Sequence, residues 1–173
     1  MQQFTNHSNR IQQPAKAWLV YLSLCIALGL DYVPTGALPG VPDWMALALA
    51  FWSIREPARV GMGTGFLFGV LVDIGQGAAM GQHALAYVVL AFLSNGLARR
   101  VMWFPVLVQA LHVLPILLVA QGLMVAVRVV AGDEFPGWWY FLSSATGAIL
   151  WLPLDYLLPQ QLQPVDRDEN RPI

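Results

Sequence analysis

Three titratable residues within or beside apolar segments could form a polar site: Asp73, His83 and Arg128. A carboxylate among apolar side chains is costly in lipid, so Asp73 should face protein, water or a cation. If the apolar segments cross a membrane, all three residues lie near its outer surface, and we expect them to form one outer polar cluster. Each residue also has a simpler interpretation. Asp73 could be hydrated at the membrane interface at the end of its helix, and His83 could be an interfacial residue that begins a helix. Arg128 could extend its side chain to lipid headgroups.

Glycines precede Asp73 at intervals of four residues, at Gly61, Gly65 and Gly69. On a helix, this spacing places all four residues on one face. A face without side chains lets a second helix approach closely, and the carboxylate would add one polar contact. We therefore predict a helix-docking interface at these four positions. It would serve either packing within the chain or contact with another chain, including a second copy.

Residue patterns for catalysis or cofactor binding are missing from the sequence. There is no G-x-S-x-G, no H-E-x-x-H and no phosphate-binding loop. His7, His83 and His112 are too dispersed for a zinc site, and the single Cys25 allows no intrachain disulfide. We therefore expect no enzyme activity, no cofactor and no metal, and we expect Cys25 to be a small buried side chain.

The composition is that of a membrane protein. Hydrophobic residues make up 57% of the 173 residues, charged residues make up 11%, and the mean hydropathy is +0.57. Soluble domains carry about 25% charged residues. The chain is therefore predicted to be an integral membrane protein. Neither the formal net charge of −1 nor any motif indicates a nucleic-acid partner.

Six apolar segments predict an all-α bundle of six transmembrane helices. Polar residues flank them, which divides the chain into a tail at 1–16, a transmembrane domain at 17–158 and a tail at 159–173. Two alternatives stay open. The first segment could be a signal peptide, and residues 43–76 could form a shallow hairpin instead of crossing twice. The six segments are residues 15–30, 43–54, 60–76, 82–98, 103–127 and 138–158.

Basic residues are unevenly distributed between the two sides that six crossings would define. Only Arg128 lies on the side opposite both termini. Cytoplasmic loops carry an excess of Lys and Arg, so both termini are predicted to be cytoplasmic. Arg55 and Arg59 flank the inner turn between the second and third segments and should anchor it. Asp155 should face the cytoplasmic headgroups or Arg99–Arg100. The basic residues on the side of the termini are Arg10, Lys16, Arg55, Arg59, Arg99, Arg100, Arg167 and Arg171.

An ordered set of residues runs from the start of the second segment into the fourth. It comprises Pro42-Asp43-Trp44, Phe51-Trp52, Pro57, Arg59-Val60, Gly63-Thr64-Gly65-Phe66, Gly69, Asp73, Gly77, Gly81 and Ala84-Leu85. This set resembles the bacterial MreD family of rod shape-determining proteins, and the chain length and six-segment plan agree with it. His83 is not taken as part of the family pattern.

The resemblance implies a non-enzymatic subunit of the cell-elongation machinery, located in the bacterial inner membrane. Its implied partner is MreC, which spans the membrane once. Through MreC the subunit would couple MreB filaments to RodA and the elongation transpeptidase, which build lateral peptidoglycan. Membrane lipids and a second copy of the chain are further expected contacts.

The same family fold resembles the substrate-binding membrane subunits of energy-coupling-factor transporters. The alternative function is therefore a small-molecule-binding transport subunit. It would need a cavity open to the outside and lined by the outer polar cluster.

Overall fold

A computed structural model describes residues 16–33 and 40–158 of the chain. The predicted tails at 1–16 and 159–173 lie outside these residues, apart from Lys16. The described part is all-helical and contains six α-helices and one 3₁₀ turn, Trp138–Phe141. The α-helices are α1 (Ala17–Asp31), α2 (Trp44–Arg55), α3 (Met62–Gln76), α4 (Gln82–Val101), α5 (Val106–Val130) and α6 (Leu142–Leu157).

Helix boundaries follow local sequence signals. Asp43 caps α2, where its side chain accepts a hydrogen bond from the Ala46 amide at 2.7 Å. Gly77 ends α3 in the left-handed conformation, with φ of 62°, which a residue with a side chain rarely adopts. Pro105 immediately precedes α5, where the lack of an amide proton costs nothing. Helix α5 therefore begins directly after Pro105.

Helix α4 lies at the centre of the bundle, packed against α2, α3 and α5. Helix α1 packs on α2, and α6 packs mainly on α5. The largest buried side chains come from α2, α4 and α6: Phe51, Trp52, Tyr87 and Trp151. Cys25 is exposed, which corrects the expectation of a buried thiol. It lies between Leu24, which is buried, and Ile26, which is exposed, on the outward face of α1.

Within residues 16–33 and 40–158, two helices are long and apolar enough to cross a membrane, by length and composition. They are α4, with 20 residues, and α5, with 25 residues. Helices α1, α2 and α3 are also apolar but shorter. At about 1.5 Å per residue, the 12 residues of α2 span about 18 Å, less than the roughly 30 Å of a bilayer core. Large apolar side chains also remain exposed on these helices, among them Trp18, Ile26, Leu67, Phe92, Leu107 and Leu111.

Candidate functional site

The glycine face of α3 packs against α4 of the same chain. Gly65 and Gly69 are both buried. A Cβ placed on Gly65 would lie 2.6 Å from the backbone oxygen of Tyr87, and one on Gly69 would overlap the backbone of Ala84. Gly61 faces the same helix, because its Cβ position lies 3.5 Å from Nδ2 of Asn95. The structure thus gives these glycines a packing role within the chain, and docking of another chain against them stays a prediction.

The carboxylate of Asp73 accepts hydrogen bonds from backbone amides at the start of α4. Its carboxylate accepts hydrogen bonds from the backbone amides of Gly81 (2.9 Å), His83 (2.9 Å) and Ala84 (3.3 Å). It also lies 2.8 Å from Nδ1 of His83, and Asp73 is only 1% exposed. The first amides of a helix have no intrahelical partner, and the helix dipole favours an anion there. Asp73 therefore fastens the end of α3 to the start of α4.

Two further aspartates do the same for α2. Asp31, the last residue of α1, accepts hydrogen bonds from the amides of Trp44 (3.0 Å) and Met45 (2.9 Å). Asp43 caps the helix, as described above, and also accepts a hydrogen bond from the buried hydroxyl of Tyr87 at 2.9 Å. Because Tyr87 belongs to α4, these contacts join α1, α2 and α4.

These residues form one group, which we call the aspartate cluster: Asp31, Asp43, Asp73, His83 and Tyr87. The rings of His83 and Tyr87 lie 5.8 Å apart and connect its two halves. The cluster lies at the end of the bundle where α1 and α3 end and α2 and α4 begin.

Of the three residues of the expected outer polar cluster, two contact each other and the third pairs with a different residue. Asp73 and His83 are in contact. Arg128 instead lies 3.7 Å from Asp133, measured from Nε to Oδ2. Across residues 16–33 and 40–158, no hydrogen bond or ion pair joins Arg128 to Asp73 or His83. Arg128 is in the last turn of α5, so its partner comes from the loop that follows this helix.

The two arginines of the inner turn have different surroundings. Arg55, at the end of α2, forms an ion pair with Asp155 of α6 and lies 5.0 Å above the ring of Phe51. Asp155 was expected to face headgroups or Arg99–Arg100, and the structure corrects this. Arg59 is more exposed, and its Nη1 lies 3.8 Å from Oε2 of Glu56.

Sequence reasoning did not assign Asp31, Asp43 or Tyr87 to the site. The signal for Asp43 was present, since an aspartate directly before an apolar helix is a common N-cap. Asp31 gave no local signal, because its partners are 13 and 14 residues further along the chain. Among the residues described, no three His, Cys, Asp or Glu side chains are grouped so as to hold a metal ion.

Comparison with known proteins identifies the family. A family profile described as rod shape-determining protein MreD matches residues 10–160. The chain belongs to the MreD family. The rod shape-determining protein MreD of Haemophilus influenzae is 29% identical over 153 residues, which cover 84% of this chain and 91% of that protein. No solved structure matches the chain.

Family membership supports a role in determining rod shape. The structure also explains why several of the residues that resembled the family lie where they do. Asp43 and Asp73 cap the starts of α2 and α4, and Gly65 and Gly69 permit the contact between α3 and α4. These four residues of the set therefore help to hold α2, α3 and α4 together.

Proposed function

We propose that this chain is a non-enzymatic subunit of the cell-elongation machinery in the bacterial inner membrane. Membership of the MreD family is the observation that carries the proposal. The polar groups of the aspartate cluster are consistent with it. The carboxylate of Asp73 receives three backbone amides, so its oxygens are used for structure and do not face a reacting molecule.

We propose that the six helices cross the membrane and that both termini are cytoplasmic. The basic residues at the ends of α2 and α4, Arg55 and Arg99–Arg100, lie at the end of the bundle opposite the aspartate cluster. An excess of basic residues at one end supports a cytoplasmic location for it. Trp103 (89% exposed) and Trp138 (81% exposed) lie at opposite ends, as expected for aromatic residues at the two membrane interfaces.

The proposed partner is MreC, through contacts between transmembrane helices. MreB, RodA and the elongation transpeptidase would then be linked to this subunit through MreC. Because α4 covers the glycine face of α3, the helix of MreC would contact apolar side chains that the bundle leaves exposed. Exposed side chains of this kind lie on α1, α3 and α5, for example Ile26, Leu67 and Leu111.

The proposal is tested by depletion and co-purification in the organism that encodes the chain. Depletion should convert rod-shaped cells to round ones, and an expressed wild-type copy should restore the rod shape. Purification in a mild detergent should recover MreC with the chain. Cells that stay rod-shaped after depletion, or a chain that recovers copies of itself without MreC, would contradict the proposal.

The transport alternative lacks support in the described residues. It needs a cavity open to the outside that is lined by polar groups such as Asp73, His83 and Arg128. Asp73 and His83 are buried and bonded to each other, and Arg128 contacts Asp133. We therefore do not propose a transported ligand for this cluster.

A further inference from the structure

Two neighbouring arginines at the end of α4 have no protein partner among the described residues. Arg99 and Arg100 lie in the last turn of this helix, and both are exposed. In the described stretches, 16–33 and 40–158, no ion pair or side-chain hydrogen bond engages either guanidinium. The end of a helix carries about half a negative charge, which cannot balance two guanidinium groups.

The acids at this end of the bundle have arginine partners of their own. Asp155 pairs with Arg55, and Glu56 lies 3.8 Å from Arg59. Within the part of the chain that the structure describes, the remaining acids belong to the aspartate cluster or to the loop after α5, both at the opposite end. The tail at 159–173 has three acids but also two arginines. The two positive charges at the end of α4 are therefore left for a partner outside the chain.

An exposed aromatic and apolar surface accompanies these arginines. On α4, Arg99, Gly96 and Phe92 follow one another at intervals of three and four residues, so they lie on one exposed face. Gly96 leaves this face open, since a Cβ there meets nothing within 4 Å. Trp103 is 89% exposed in the turn after α4, and Leu107 is 70% exposed in the first turn of α5. Charged groups at the helix end, an aromatic ring and apolar side chains match the headgroup, interfacial and hydrocarbon layers of a membrane leaflet.

Contacts within the chain fix the turn that carries Trp103. The backbone amide of Trp103 donates to the backbone oxygen of Arg100 at 3.3 Å. The next residue, Phe104, is tied to α5, because its backbone oxygen accepts from Nε2 of Gln109 at 2.9 Å. Its ring also stacks on that of His112, with 5.2 Å between the ring centres. The arginines and the tryptophan are therefore positioned before a ligand arrives, which lowers the entropic cost of binding.

We propose that Arg99, Arg100 and Trp103 bind the headgroup of an anionic phospholipid, with an acyl chain along Gly96 and Phe92. A guanidinium group presents paired N–H donors that match phosphate oxygens. Phosphatidylglycerol carries a net negative charge, whereas the choline of phosphatidylcholine balances its own phosphate, so the site selects the former. An acidic protein would match only the arginines, whereas a phospholipid matches the apolar face as well. This inference rests on the proposed membrane insertion and not on the role in cell elongation, so its test uses the purified chain.

The test is thermal unfolding of the full-length chain in detergent micelles with a rising mole fraction of phosphatidylglycerol or phosphatidylcholine. Phosphatidylglycerol should raise Tm by about 4 °C, with saturation, and phosphatidylcholine should raise it much less, because a ligand that binds the folded state stabilises it. With Arg99→Gln and Arg100→Gln together, the midpoint of the phosphatidylglycerol dependence should rise about 25-fold, about fivefold for each arginine. Each single variant should show the fivefold change, which keeps the test available if the double variant does not fold.

The matched control removes two positive charges elsewhere at the same end of the bundle. Lys16→Gln with Arg59→Gln should leave the midpoint where it is in the wild type, whereas Trp103→Ala should raise it. Equal Tm shifts with the two lipids, or a wild-type midpoint in the double arginine variant, would overturn the proposal. The same shift from inorganic phosphate or polyglutamate in phosphatidylcholine micelles would overturn it in favour of a soluble acidic ligand. No shift with phosphatidylglycerol would overturn it in favour of pairing with the acids of the tail at 159–173.

Discussion

The two ends of the bundle hold their helices together by different means. At one end, the junction of α3 and α4 combines bare backbone contact at Gly65 and Gly69 with a buried acid, Asp73, that receives helix amides. At the other end, Arg55 forms an ion pair with Asp155 between the ends of α2 and α6. The first arrangement depends on backbone groups, and the second depends on two charged side chains.

This difference predicts how each end tolerates change. At Gly65 and Gly69, backbone atoms cannot rotate away from an added side chain. At Asp73, loss of the carboxylate would leave buried helix-start amides without an acceptor, which lowers the free energy of unfolding. An ion pair between partly exposed side chains can be rearranged or replaced by water and headgroups, so its removal costs less. The α3–α4 junction should therefore dominate the stability of the bundle, and the opposite end should contribute a smaller amount.

The largest expected effect is that of Gly69→Leu. Its side chain would have to occupy the place of the Ala84 backbone, so α3 and α4 could not pack. We expect no stably folded chain, measured as aggregation in size-exclusion chromatography after detergent extraction. The matched control is Gly63→Leu, because a Cβ on Gly63 meets nothing within 4 Å. Equal behaviour of the two variants would show that the close contact is not required.

Asp73→Leu should have the next largest effect. It leaves the amides of Gly81, His83 and Ala84 without their acceptor and should lower the free energy of unfolding by about 3 kcal/mol. Asp73→Asn retains one oxygen acceptor and should lose about half as much. Denaturant unfolding in detergent measures both. Asn and Leu variants with the same stability would contradict the capping role.

Substitution at the opposite end should cost less. Asp155→Ala leaves Arg55 without its carboxylate, and because both side chains are partly exposed we expect a loss of about 1–2 kcal/mol. Arg59→Ala removes a more exposed arginine and should cost less than about 1 kcal/mol. The same unfolding measurement ranks the two. A loss for Asp155→Ala greater than that for Asp73→Leu would reverse the comparison.

The helices themselves were predictable from the sequence. Apolar segments at 43–54 and 82–98 correspond to α2 and α4 within a few residues at each end, because long apolar runs bounded by polar and glycine-rich turns give a strong local signal. The glycine face was also visible as a spacing. Its partner was not, since nothing in the spacing distinguishes α4 from a helix of another chain.

The members of the aspartate cluster were only partly predictable. Asp73 and His83 are ten residues apart across a short turn, so their contact follows from local geometry. Tyr87 and Asp43 are 44 residues apart, and their hydrogen bond depends on how α2 and α4 pack. Arg128 was assigned to the outer polar cluster only because it was expected at the same membrane depth as Asp73 and His83. Depth does not determine which side of the bundle a residue faces.

The most direct test of the account is the stability of the isolated chain carrying Gly65→Leu, measured without MreC. Gly65 lies against the Tyr87 backbone of the same chain, so the variant should unfold at a clearly lower temperature than the wild type and Gly63→Leu. If Gly65→Leu is as stable as the wild type when isolated and loses only its ability to recover MreC, the glycine face serves another chain and the account is wrong.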